Sequence, residues 1–261
     1  MNDLPFHLIA DEHETFTREE KIKAKKDFLS SLTDDAVDLY EAWVSNPGSY
    51  SVKFTSFFQA YADILSRFRD KEVTIAEIGV LDSGSLLAWQ KWFGNKATII
   101  GIDANPDVKK FEKDNIKIEI GNQADPVFWE GFFARYPDVD IVIDDGGHQY
   151  FQQAITLFSI LNYSQKQTLI LFEDVHTSFF SNFANPDDEE TFLDLMKQLV
   201  DNITLQQIFS KRYMNRWKKN IDASLVSKFR AIKSMSFYAG ILSVNYDPTM
   251  ELIPSCISNT D

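Results

Sequence analysis

Only one cysteine, Cys256, occurs in 261 residues, so this chain closes no disulfide on itself and builds no cysteine-rich metal site. Basic residues are also scarce: 26 Lys and Arg stand against 39 Asp and Glu, a net charge of −13. Phosphate backbones and anionic lipid surfaces are recognised by Lys and Arg. Neither nucleic acid nor a membrane is therefore an expected partner. No apolar run approaches the ~20 residues of a membrane span. The start, Met1-Asn2-Asp3-Leu4-Pro5, lacks the basic and then apolar pattern of a secretory leader. The expectation is a cytoplasmic protein. Histidine is rare as well, with four in the chain, so the places where histidines fall carry information.

Apolar residues make up 44% and include 22 Phe, enough for a full core with bulky helix–sheet packing. There is no internal repeat and no low-complexity tract. Residues 1–50 read as a charged helical segment, 51–248 as one large α/β domain and 249–261 as a tail. Thr17 and Glu20 form a capping-box pattern ahead of a helix over 21–32, and a second helix covers 36–44. The stripe Phe57, Tyr61, Ile64, Leu65, Phe68 has helical spacing and reads as core.

Strands and helices alternate from residue 73. A strand over 73–80 runs into Gly79-Val80-Leu81-Asp82-Ser83-Gly84-Ser85, a helix over 86–93 follows, and a strand over 97–102 ends at Asp103. An acid about 20 residues past a glycine-bearing loop is the expected partner of a ribose hydroxyl. The loop lacks the three-glycine spacing of dinucleotide binders. Glu77 stands where a pyrophosphate would sit, which disfavours NAD and suits the ammonium group of S-adenosylmethionine. After a third strand (116–120), Gln123 and Asp125 either meet the adenine edge or Asp125 caps the helix over 126–136.

Two further apolar strands end alike. Ile141-Val142-Ile143 is followed by Asp144-Asp145-Gly146-Gly147-His148, and Leu169-Ile170-Leu171-Phe172 by Glu173-Asp174-Val175-His176. Ligands of open parallel sheets bind beyond the carboxyl ends of the strands. If the two strands are neighbours, Asp144, Asp145, Glu173 and Asp174 converge there. Such a cluster needs a cation, and all-oxygen ligation suits Mg²⁺, with Ca²⁺ or Mn²⁺ as alternatives. Phe179 and Phe180 read as an exposed aromatic wall. Residues 211–230 are basic, with Tyr213 and Trp217, and read as a solvated helix face or a cover over the crevice. Segments 231–239 and 241–246, joined at Gly240, read as a closing antiparallel hairpin. The expected fold is a doubly wound, mostly parallel seven-stranded sheet.

Taken in order, Glu77-Ile78-Gly79 with Gly84-Ser85, Asp103, Gly121 to Asp125, Asp144 to His148, and Glu173 to Ser178 resemble the metal-dependent sugar O-methyltransferases of the macrolide deoxysugar type. Gly147 stands where that family more often has Ser, and the N-terminal region is shorter. The cephalosporin-hydroxylase-like proteins share a similar layout, and a non-catalytic binding protein of the same fold is a further alternative. The resemblance implies methyl transfer from S-adenosylmethionine to a hydroxyl of a sugar or glycosylated small molecule. It implies Mg²⁺ on Asp145, Glu173 and Asp174, His148 as base, and Asp144 towards the cofactor beside Glu77, Gly79, Ser85, Asp103, Gln123 and Asp125. His176 and Phe179 are the expected acceptor contacts. A homo-oligomer is compatible with the sequence.

Overall fold

A computed structural model describes residues 16–46, 49–187, 189–205 and 231–250. The basic stretch 211–230, Cys256 and the tail from 251 lie outside the described residues.

Seven strands form one sheet in the order β3-β2-β1-β4-β5-β7-β6. They are β1 (Val73–Ile78), β2 (Ala97–Asp103), β3 (Ile116–Ile120), β4 (Ile141–Asp144), β5 (Thr168–Phe172), β6 (Ile232–Phe237) and β7 (Leu242–Tyr246). The first five run parallel, while β7 is antiparallel to both β5 and β6. The sheet is thus mixed, with the hairpin expected around Gly240 at one edge. The central strands β4 and β5 are near-continuous Val, Ile and Leu and buried along their whole length, as suits strands covered on both faces. The edge strand β3, by contrast, alternates Ile with Lys and Glu.

Alternating side chains along each strand feed two cores. Ile75, Ile99, Ile143 and Leu171 point towards α2 (Asp34–Val44), α3 (Thr55–Leu65) and α4 (Gly84–Phe93). Ile78, Ile102, Val142 and Phe172 point towards α5 (Pro126–Arg135), α6 (Tyr150–Tyr163) and α7 (Phe192–Leu205). The stripe Phe57, Tyr61, Ile64 and Leu65 lies in the first core as its spacing implied. The first helix, α1 (Arg18–Ser31), buries no residue fully. It begins with the anticipated capping box, in which Glu20 N donates to Thr17 Oγ1 at 3.2 Å and Thr17 N to Glu20 Oε2 at 2.8 Å.

This two-sided pattern decides where the functional side chains go. Ile143 pairs with Glu77 and Leu171, and Asp144 pairs with Ile78 and Phe172. Glu77, Asp145 and Glu173 therefore project on the α2–α4 face, and Asp144 projects on the α5–α7 face. Among the described residues, no helix is long and apolar enough to cross a membrane.

Candidate active site

The strand order reverses direction between β1 and β4, the place where doubly wound sheets open a crevice. A cleft of about 460 Å³ lies there, lined by Gly79, Leu81, Asp103, Gly121, Gln123, Asp145 and Gly146 among others. Gly79 has φ +94°, and a Cβ on it would sit 2.3 Å from the Asp145 carbonyl oxygen. No side chain fits between the β1 and β4 loops, so glycine is required there. Asp103 ends β2 at the cleft, where its carboxylate accepts from Val80 N and Asn105 N at 2.9 Å each. A second hollow of similar volume, lined by Glu72, Lys96, Asp140 and Lys166, lies at the opposite ends of the strands. It is away from the ligand side of such sheets.

Several residues expected at the cleft lie elsewhere. Glu77 is fully buried and accepts from Ser85 Oγ at 2.8 Å and Trp89 Nε1 at 3.1 Å. Both Glu77 and Ser85 are engaged inside the β1–α4 packing, so Glu77 does not stand in the cleft where a pyrophosphate would go. Asp125 is exposed and caps α5, accepting from Val127 N at 2.9 Å; this is the capping alternative. Gln123, by contrast, is in the cleft wall, largely buried, and acts there as a latch. Its amide donates to Asp144 Oδ1 at 3.1 Å, and its oxygen accepts from Gly147 N at 2.9 Å. Asp144 is fully buried against it, and that burial raises its pKa, with the Gly146 backbone N–H opposing. The expected convergence of four carboxylates is corrected here: the strand pleat turns Asp144 to the other face.

The remaining carboxylates form two clusters that share Asp145. In one, Asp145, His148 and Asp174 each offer a ligand atom, all within 4.8 Å of one another; in the other, Glu77, Asp145 and Glu173 do so. The first is half-buried, and its Asp145 also lines the cleft. His148 Nε2 lies 3.6 Å from Asp174 Oδ2, and His176 Nδ1 lies 3.8 Å from Asp174 Oδ1. His148 and Asp174 both adopt left-handed backbone, with φ of 56° and 52°. Such conformations are costly for residues other than glycine and tend to persist where the surrounding structure enforces them. Phe54 packs edge-on to the His176 ring at 5.5 Å, Phe180 lies 6.3 Å away on another side, and Phe179 is 78% exposed.

The second cluster is buried, and the sequence reading missed its centre. Lys53 Nζ bonds both Asp145 Oδ2 and Glu173 Oε2, with its side chain 3% exposed. The Trp43 ring lies 5.9 Å from the ammonium. Burial opposes the Lys53 charge, but Glu173, Asp145 and Glu77 outweigh it and raise the pKa above the ordinary lysine value. Burial and Asp145 push Glu173 well above the carboxylate range, although Lys53 opposes them. Burial, with Lys53 pulling down and Asp145 pushing up, brings Glu77 to about 7. The Tyr61 hydroxyl is buried and, among the described residues, without a hydrogen-bond partner; burial and Glu173 raise its pKa. A lysine flanked by exposed Val52 and Phe54 has no periodic signature, so only the three-dimensional contact reveals it.

The donor set suits a hard divalent cation. Asp145 and Asp174 supply carboxylate oxygens to it, and the His148 imidazole stands beside them. Glu173 Oε1 and Asp174 Oδ1 are buried and have no hydrogen-bond partner among the described residues. Unsatisfied buried oxygens of this kind fit a cation that would complete them.

No protein-family model matches the chain. It is 31% identical over 160 residues to the 8-demethyl-8-alpha-L-rhamnosyl tetracenomycin-C 2'-O-methyltransferase of Streptomyces olivaceus, 57% of this chain and 41% of that protein. It is 30% identical over 152 residues to the demethylmacrocin O-methyltransferase of Streptomyces fradiae, 54% of this chain and 38% of that protein. The mycinamicin VI 2''-O-methyltransferase of Micromonospora griseorubida matches at 29% over 172 residues, 61% and 42%. The matches span about two fifths of the length of these curated relatives. Among solved structures, MycE methyltransferase from the mycinamycin biosynthetic pathway, in complex with Mg and SAH, has a TM-score of 0.65 at 24% identity. That match covers 88% of this chain and 58% of MycE, and at this identity it is a likeness of fold. The relatives of the chain are thus sugar O-methyltransferases, as the loop motifs implied.

Proposed function

We propose that the chain is an S-adenosylmethionine- and Mg²⁺-dependent O-methyltransferase acting on a hydroxyl of a sugar or glycosylated small molecule. The observation that supports this most is the position of Asp145. It lines the crevice at the β1–β4 switch point and belongs to the cluster that can hold a cation. A methyl donor and a cation-bound acceptor would thus be adjacent. The kinship with sugar O-methyltransferases points the same way.

In this reading the domain is residues 51–248. Gly79 lets the backbone approach the cofactor, and Asp103 takes the ribose hydroxyls. Gln123, in the cleft wall, and Asp144, buried behind it, fix the loop that carries Gly146 and Gly147. S-adenosylmethionine, when bound, supplies the electrophilic methyl group. Mg²⁺, when bound, orients neighbouring acceptor oxygens and lowers the pKa of one hydroxyl. Asp145, Asp174 and Glu173 would hold it, with Glu173 reaching it from the buried side. His148 takes the acceptor proton at Nε2, and the imidazolium so formed faces Asp174 Oδ2 at 3.6 Å. His176 and the aromatic rim of Phe54, Phe179 and Phe180 contact the acceptor.

The test is titration calorimetry with S-adenosylmethionine, with and without Mg²⁺, followed by a screen of glycoside acceptors. Cofactor binding with Mg²⁺-dependent methylation of a glycoside is the expected result. Absence of cofactor heat under both conditions would overturn the reading of the Gly79–Asp103 crevice.

A further inference from the structure

The buried half of the carboxylate cluster already contains a cation. Lys53 Nζ occupies Asp145 Oδ2 and Glu173 Oε2, and Glu77 closes the same cluster. Glu173 Oε1, fully buried, has no hydrogen-bond partner among the described residues. A divalent ion held by Asp145 and Glu173 would draw on the same two carboxylates. Two cations in contact repel strongly where water is excluded, because the low local dielectric leaves their charges poorly screened. An ammonium and a divalent ion therefore compete for this carboxylate pair.

We propose that Lys53 is a tethered counter-ion that competes with the divalent cation for Asp145 and Glu173, so that binding of the ion requires the ammonium to leave. This rests on the cation site of the proposed function and adds what competes for it. Lys53 is placed for such an exchange. It lies in residues 49–54, outside any helix or strand, and its neighbours Val52 and Phe54 are 67% and 42% exposed. The ring of Phe54 touches His176, so withdrawal of Lys53 would also move one wall of the acceptor rim. In the absence of the ion, the lysine keeps Asp145 and Glu173 from repelling each other, which preserves the site for its ligand.

Two measurements test this. The first is calorimetric titration with MgCl₂ on wild type, Lys53→Met and Lys53→Arg. Removing the competing charge should tighten Mg²⁺ binding by about ten-fold or more, whereas Lys53→Arg, which keeps the charge, should bind no more tightly than wild type. The second uses the unaltered protein and so does not depend on a variant folding. Reductive methylation of the Lys53 amine, read by mass spectrometry, should be slow without Mg²⁺ and several-fold faster at saturating Mg²⁺. Equal or weaker Mg²⁺ binding by Lys53→Met overturns the inference and leaves the cation site standing, as does a Lys53 that stays protected while Mg²⁺ binds. If neither wild type nor Lys53→Met binds Mg²⁺ or Mn²⁺, the cation site falls and the inference falls with it.

Discussion

Asp144 and Asp145 are neighbours in sequence, yet they belong to opposite faces of the sheet and do different work. Asp144 is fully buried on the α6 side, held by the Gln123 amide and near Thr156. Asp145 points to the α3–α4 side, is 24% exposed, meets Lys53, and lines the crevice. One residue of strand register separates a structural latch from a candidate ligand. The same alternation sorts Phe172 from Glu173 on β5 and Ile78 from Glu77 on β1. The Asp144-Asp145 pair thus gives the sheet one buried anchor and one chemical group.

The largest effect is expected on the Asp145 face. Replacing His148 with Ala should lower kcat by about 10²- to 10⁴-fold, the usual contribution of a general base, while S-adenosylmethionine affinity in calorimetry stays unchanged. Unaltered turnover would remove His148 from the role of base. Glu77 should impose a pH dependence on stability. Its pKa in the folded chain is raised from 4.5 to about 7, with burial the main cause. Its contribution is therefore complete below the unfolded value and is lost as pH rises through the folded one. Urea unfolding should show a decline of up to about 3 kcal/mol between pH 4.5 and pH 7, and Glu77→Gln should flatten it.

On the other face, Asp144→Ala leaves the Gln123 amide and the Gly146 N–H without their acceptor. It should destabilise the fold by about 1–3 kcal/mol, measured by denaturant unfolding. The smallest effect is expected at the rim: Phe179→Ala should change stability by less than about 0.5 kcal/mol but raise KM for the glycoside. An unchanged KM would take Phe179 out of acceptor binding.

Most of the fold was legible because it rests on local periodicity. The β-strands of Val, Ile and Leu, the Thr17–Glu20 capping box and the hairpin at Gly240 each declare themselves within a few residues. The crevice at Gly79 and Asp103 was legible too, since a strand, a glycine and an acid at that spacing leave few alternatives. The division of the acidic strands was present in the period-two pattern of Ile141-Val142-Ile143-Asp144-Asp145 but is easily overlooked when carboxylates are counted as a group. Glu77 is a clearer lesson. Its charge suggested a ligand contact, whereas Ser85, Trp89 and burial engage it within the core. Lys53 was invisible because its partners are 92 and 120 residues away in sequence, and no local pattern announces a contact of that range.

The most direct test of the two-face division is Mg²⁺ titration calorimetry on two isosteric variants, Asp144→Asn and Asp145→Asn. The expected result is a Mg²⁺ heat that persists in Asp144→Asn and vanishes in Asp145→Asn. Loss of the heat in Asp144→Asn, or its survival in Asp145→Asn, would contradict the assignment of the latch to one face and the cation to the other.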